Sequence, residues 1–295
     1  MIVGFSFSPG GLLLPYHLGA LASLSYHGHI TPSTPLAGAS AGAIAVTSHA
    51  TGVPPFKALE ASIRVSGRCN PLFLARGKLL PSLHNELDSL LGMNAHEILN
   101  EREAIVGLAH RELFPENKPI LKTHFETRDC LMDAVCDSSM FPYFSTNQPF
   151  RTVKRRDDLL PHVVVDGCFS VPIQRIGCPD FSQVNGNTHS SKSSIQVDRT
   201  VTVSCFPEQL LTLTSKKHDR IGPKLEENAV FQAIKTVTMA TQASRRQDLI
   251  KLFEEGWSDG ERWSFAEERR KIGLTRKDRR KKYAVALMRK YFVDA

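Results

Sequence analysis

The chain has 295 residues, 41% hydrophobic and 23% charged, with a formal charge of +7. That usage excludes collagen-like, low-complexity and wholly disordered chains, and no apolar run approaches the roughly 20 residues of a membrane-spanning helix. The charge is lopsided. Residues 261–295 hold 12 Lys/Arg and 5 Asp/Glu, whereas residues 1–260 hold 25 of each sign, so a nucleic-acid-binding face on the main body is not expected.

Residues 1–19 lack a basic start and are interrupted by Pro9, Gly10 and Gly11, so they read as structure and not as a signal peptide. Residues 2–8 (IVGFSFS) are short, apolar and rich in β-formers, which predicts a buried strand. A turn at 9–11 leads into a helix from Leu12 to about Gly28, with Leu14, Leu18, Leu21 and Leu24 at helical spacing. Leu36-Ala37 ends a second short strand, and the small residues from Ser40 to about Ala50 predict a closely packed helix. Strand, turn, helix, strand, sharp turn, helix is the alternation of a parallel α/β sheet.

Residues 56–110 read as mostly helical, with Pro71 and Pro81 as breaks. Strands are expected at 118–126, 162–166 and 199–205, and a short helix at 127–139. Residues 180–198 are polar and Ser/Asn-rich and read as a long surface loop; from about 228 the pattern is helical. The six cysteines never form C-x-x-C, and Cys and His do not cluster at ligand spacing. They read as free thiols in a reducing compartment, with no metal or cofactor.

The segment Gly38-Ala39-Ser40-Ala41-Gly42 fits G-x-S-x-G between a strand end and a helix. A nucleophilic serine needs a strained turn that exposes its Oγ, and glycines on either side remove side chains that would clash there. The helix that follows aims backbone N–H groups and a positive dipole end at the reaction centre. His189 and His218 lie in polar, solvated surroundings, so a Ser-Asp dyad is the expected arrangement, with a carboxylate reaching the serine directly. Asp166 ends the strand Val163-Val164-Val165 and precedes Gly167. An Asp-Gly pair is also a common turn without chemistry; the elbow tips the reading toward catalysis. Gly10, Gly11 and Leu12 follow the first strand on the same sheet edge, where their N–H groups could hold an oxyanion. Pro9 has no N–H to offer.

Taken together these pieces resemble the patatin-like phospholipases, in the order glycine-rich loop, G-x-S-x-G, then D-G. The likeness is closest to the branch that includes adipose triglyceride lipase, and extends through Tyr16–Gly19, Asn94–Glu97, His124–Leu131, Cys136–Phe144 and Phe253–Trp263. Two positions depart from it. Pro9 stands where relatives have a first glycine, and Cys168 where the second glycine of D-G-G is usual.

The resemblance implies a three-layer α/β fold with a mostly parallel central sheet flanked by helices. It implies a Ser40–Asp166 dyad that hydrolyses lipid acyl esters without a metal. Residues 1–210 would form the catalytic domain and 211–295 a helical extension with a basic tail. Met140, Phe141 and Phe144 would line an acyl pocket, or simply be core. Leu12, Leu13 and Leu14 could also meet an acyl chain. The substrate could be phospholipid, triacylglycerol or galactolipid, and the protein would be cytoplasmic or peripheral to a membrane or lipid droplet. The paired charges Glu267, Arg270 and Lys271 suit a solvated helix face. The sharper reading of residues 261–295, with the apolar stretch Ala284–Phe292, is attraction to anionic lipid surfaces. A non-catalytic lipid-binding or scaffold protein and a transacylase with the same dyad are the rival functions.

Overall fold

A computed structural model describes residues 1–69, 77–154, 159–183, 197–207, 219–224 and 229–272. The first five elements follow the expected alternation: β1 (Val3–Phe7), a 3-10 turn (Gly11–Leu13), α1 (Leu14–Tyr26), β2 (Leu36–Ala39) and α2 (Ala41–Ala50). Residues 56–110, expected to be mostly helical, are so up to Glu101 among the described residues and end in a strand that the helical reading did not include. They contain α3 (Pro55–Arg68), α4 (Leu79–Leu90) and α5 (Ala95–Glu101), then enter β3 (Val106–Phe114), the strand on which the site is built. The run Ala104–Ala109 is apolar without a break, and such a run has no period that separates a buried strand from a buried helix. Pro81 is the third residue of α4 and does not break it, because N–H groups of a first turn have no acceptor within the helix. Pro71 lies outside the described residues.

The remaining elements are β4 (Lys118–Lys122), α6 (Arg128–Ser138), β5 (Arg151–Val153), β6 (His162–Val165), β7 (Arg199–Val203), β8 (Arg220–Ile221), α7 (Ala229–Thr241) and α8 (Arg246–Ile272). Thr127 caps α6 by accepting the Cys130 N–H at 3.0 Å. The strand expected over 118–126 closes at Lys122. In the polar stretch 180–198, Phe181–Gln183 form a 3-10 turn, and 184–196 lie outside the described residues.

The fold is α/β, with a mostly parallel central sheet. Its eight strands run β5-β6-β3-β2-β1-β7-β8, with β4 also on β3. β1, β2, β3, β7 and β8 are mutually parallel; β4 and β6 run antiparallel to β3, and β5 pairs antiparallel with β6 at the edge. Phe5 and Phe7 of β1 face the large core with residues of α1 to α6, while Ala37, Ala39 and Ala109 face a small core closed by Phe181. Helices α1 to α6 thus pack on the large-core side, and the 3-10 turn Phe181–Gln183 closes the small core.

Helix α8 lies directly on α1. A Cβ at Gly19 would stand 1.9 Å from the Phe253 carbonyl oxygen, and one at Gly256 2.0 Å from that of Tyr16. The Tyr16 hydroxyl donates to Asp259 at 2.7 Å, and Trp263 meets Phe5 edge-on at 5.6 Å. The segment Phe253–Trp263 is therefore part of the packed body.

Candidate active site

Three strands bring the site together. On one edge of β3, β4 pairs with Leu108–Glu112. A strand has two edges, so the partners of β3 on the other edge must share it end to end. β2 takes Val106–Ala109 there in parallel, and β6 takes Arg111–Phe114 from the opposite direction. The C-terminal ends of β2 and β6 therefore meet near the middle of β3, and each releases one residue at the junction, Ser40 and Asp166. Asp166 is delivered by an antiparallel strand, because β3 overshoots β2. Gly167 is required at this crowded point, since a Cβ there would lie 2.3 Å from the Ala109 carbonyl oxygen and 2.8 Å from the Ala39 Cβ.

Ser40 has φ 52° and ψ −119°, a strained conformation for a residue with a side chain. Both flanking glycines are forced: a Cβ at Gly38 would stand 2.3 Å from the Gly42 carbonyl oxygen, and one at Gly42 2.5 Å from that of Phe7. The turn is pinned from α6, where Ser138 Oγ accepts the Ser40 N–H at 2.9 Å. Sequence reading did not single out Ser138; its one signal was its place in the stretch Cys136–Phe144.

Asp166 is 1% exposed. Its N–H donates to the Met140 carbonyl, and its Oδ1 accepts the Cys168 N–H at 2.8 Å. Oδ2 has no hydrogen-bond partner of ordinary geometry, and the Ser40 hydroxyl is close enough to lower the pKa of the carboxyl. Burial dominates over these helpers and raises that pKa to about 6. The same burial, with the Asp166 charge beside it, drives the Cys168 thiol well above its usual value.

The loop Pro9–Leu12 lies alongside. Among the described residues no acceptor takes the Gly10 N–H. Gly10 packs on Cys205, whose Sγ would be 2.7 Å from an added Cβ. Gly11 has φ +56° and presses on α7, where a Cβ would stand 2.4 Å from the Ala240 carbonyl oxygen. Both glycines thus serve close approach. Pro9 is accommodated by Gly177, which has φ +67° and leaves room for the proline ring. Beneath the loop, Ser8 Oγ donates to the Pro9 carbonyl at 2.9 Å and lies 3.4 Å from His17 Nε2; burial lowers the His17 pKa to about 4, which keeps it neutral.

A cleft of about 630 Å³ opens over these groups, lined by Gly10, Gly11, Ser40, Asp166 and Cys168 together with Phe141 and Phe144. Met140 does not line it. Its side chain is core, and its backbone carbonyl holds Asp166. Leu12 and Leu14 line a second space behind Ser40, whereas Leu13 faces away from both. Helix α7 contributes Ala240 and Thr241 to the cleft, which no sequence motif indicated.

Glu267 is not on a solvated face: it is 4% exposed and bonded to Arg199 and Arg270. His189, His218 and residues 273–295, with the Ala284–Phe292 stretch, lie outside the described residues. Among the described residues no helix is long and apolar enough to cross a membrane.

The sequence matches no family model and no curated protein. Among solved structures, the heterodimeric complex ExoU-SpcU from the type III secretion system of Pseudomonas aeruginosa is similar to the chain at a TM-score of 0.39 and 14% identity. That likeness covers 87% of this chain and 52% of the other, so the chain spans about half the length of its neighbour. The reading of the site rests on its own geometry.

Proposed function

We propose that the chain is a serine acyl hydrolase of lipid esters, working through a Ser40–Asp166 dyad in the manner of the patatin-like phospholipases. The observation that carries the reading is the junction of β2 and β6, where a strained serine and a buried carboxylate meet on the floor of a largely apolar cleft. Ser40 Oγ attacks the ester carbonyl and passes its proton to Asp166. The N–H groups of Gly10, Gly11 and Leu12 hold the oxyanion as the alcohol leaves with the proton from Asp166. Water, deprotonated by Asp166, then cleaves the acyl-Ser40 ester. A base with a pKa near 6 suits this exchange, because it is ionised at neutral pH yet basic enough to take the proton.

Phospholipid, triacylglycerol and galactolipid are the substrate classes in view. Residues 1–210 are read as carrying the chemistry, 211–295 as a helical extension whose α8 packs on α1, and its part 261–295 as meeting anionic lipid surfaces. The decisive experiment is turnover of a short acyl ester by Ser40→Ala and Asp166→Asn, each expected to lose at least about 1,000-fold, with fluorophosphonate labelling confined to Ser40. Activity retained in either folded variant would refute the dyad.

A further inference from the structure

Two spaces meet at Ser40. Behind the cleft a narrow, almost wholly apolar space of about 50 Å³ shares Gly11, Ser40 and Leu79 with it. Its walls are faces of three helices: Ile44 and Ser48 from α2, Ala58 and Ala61 from α3, Leu83 and Leu90 from α4. The small residues on α2 and α3 make the room and the leucines of α4 bound it.

The direction of the space follows from its neighbours. Leu79 borders the cleft, and Cys69, just after α3, clusters with Leu12 and Leu79. The mouth therefore lies at the start of α4 and the end of α3, and Ser48, Ala58 and Leu90 stand at the far end. Ser48 is eight residues along α2 from Ser40, about 12 Å at the helical rise. The centres of water-sized spheres fit within about 50 Å³ of it; spread over that path, and with the spheres' own radius added, this is a bore about one alkyl chain wide. An extended chain advances about 1.25 Å for each carbon–carbon bond of about 1.5 Å, so about ten carbons reach the end. Glu86, the one charged lining residue, is neutralised by Arg64 at 2.7 Å and Arg68 at 3.0 Å.

We propose that this inner space is an acyl sleeve that limits the chain on Ser40 to about ten carbons, with the alcohol part of the ester in the outer cleft. The inference rests on the acyl-hydrolase reading, and it moves the acyl chain from Phe141 and Phe144 to α2, α3 and α4.

The test is the chain-length profile of the full chain on 4-nitrophenyl esters from acetate to palmitate. kcat/KM is expected to peak near eight to ten carbons and to fall about tenfold or more by palmitate. Ala61→Phe, midway along the wall, should lower the decanoate-to-acetate ratio about tenfold or more. Ala58→Phe should lower it less, and Leu90→Ala, which opens the closed end, should shift the peak to longer chains. Alkyl fluorophosphonates of increasing length should label Ser40 with the same preference. A profile that stays flat, or stays unchanged in the folded variants while Ser40 is labelled, overturns the sleeve alone. No labelling at any length overturns the hydrolase reading and the sleeve with it.

Discussion

Two buried carboxylates sit in opposite electrostatic settings. Glu267, on α8, is desolvated, yet Arg270 at 2.7 Å and Arg199 at 2.8 Å outweigh that and hold its pKa at about 2. Arg199 also bonds Asp219 and lies over the Trp263 ring at 6.0 Å, so the network ties β7 to α8. Asp166 is as deeply buried and has no salt bridge among the described residues, and its pKa rises to about 6. One carboxylate is neutralised and holds the fold. The other is left exposed to the cost of its own charge, which suits a group that must give and take a proton.

The contrast can be broken in three places. The largest effect is expected at the paired site: Arg199→Ala leaves Glu267 and Asp219 short of a cation and should cost about 3–5 kcal/mol in chemical denaturation.

The next has the opposite sign. The folded-state pKa of Asp166 lies above the unfolded value of 3.8, so its ionised form costs stability above pH 6, and the cost fades as pH falls through 6 toward 4. Asp166→Asn should therefore stabilise the protein at pH 7 by up to about 3 kcal/mol while abolishing turnover. In the wild type this share of stability should rise as pH drops from 7 to 5, and activity should fall about tenfold per pH unit below 6 as the base is protonated. For Glu267 the sign is reversed: its contribution is present above its unfolded value of 4.5 and lost as pH falls through about 2. A stability–pH curve identical in the wild type and Asp166→Asn would remove the distinction between the two carboxylates.

The smallest effect is expected at Ser138→Ala, which leaves the Ser40 N–H without its acceptor. About 1 kcal/mol of stability should be lost, and kcat should fall more than KM changes. An unchanged kcat would mean that the elbow holds its shape without α6.

Much of this was legible in the sequence where the signal is local. The alternation through Ala50 was readable because each element there has its own period and its own glycine turn. The G-x-S-x-G elbow was readable because steric demand at Gly38 and Gly42 acts within a few residues of Ser40. Strand β3 was missed because its apolar run has no period of its own. For Met140 the sequence leaves pocket and core equally open, since an aromatic-rich stretch does not reveal which side chains turn inward. Glu267 was read as solvated, because its partner Arg199 is 68 residues away.

What the sequence by itself determined is therefore the α/β class, the strained turn at Ser40 and the acid-then-glycine at the end of β6, all set by steric and propensity rules acting over short spans. Tertiary structure alone decided that β2 and β6 share one edge of β3 and meet head to head, that Pro9 fits against Gly177, that α7 walls the cleft, and that Asp166 keeps a buried charge without a cation. Those depend on which distant segments exclude water from one another, and burial of that kind has no local signature.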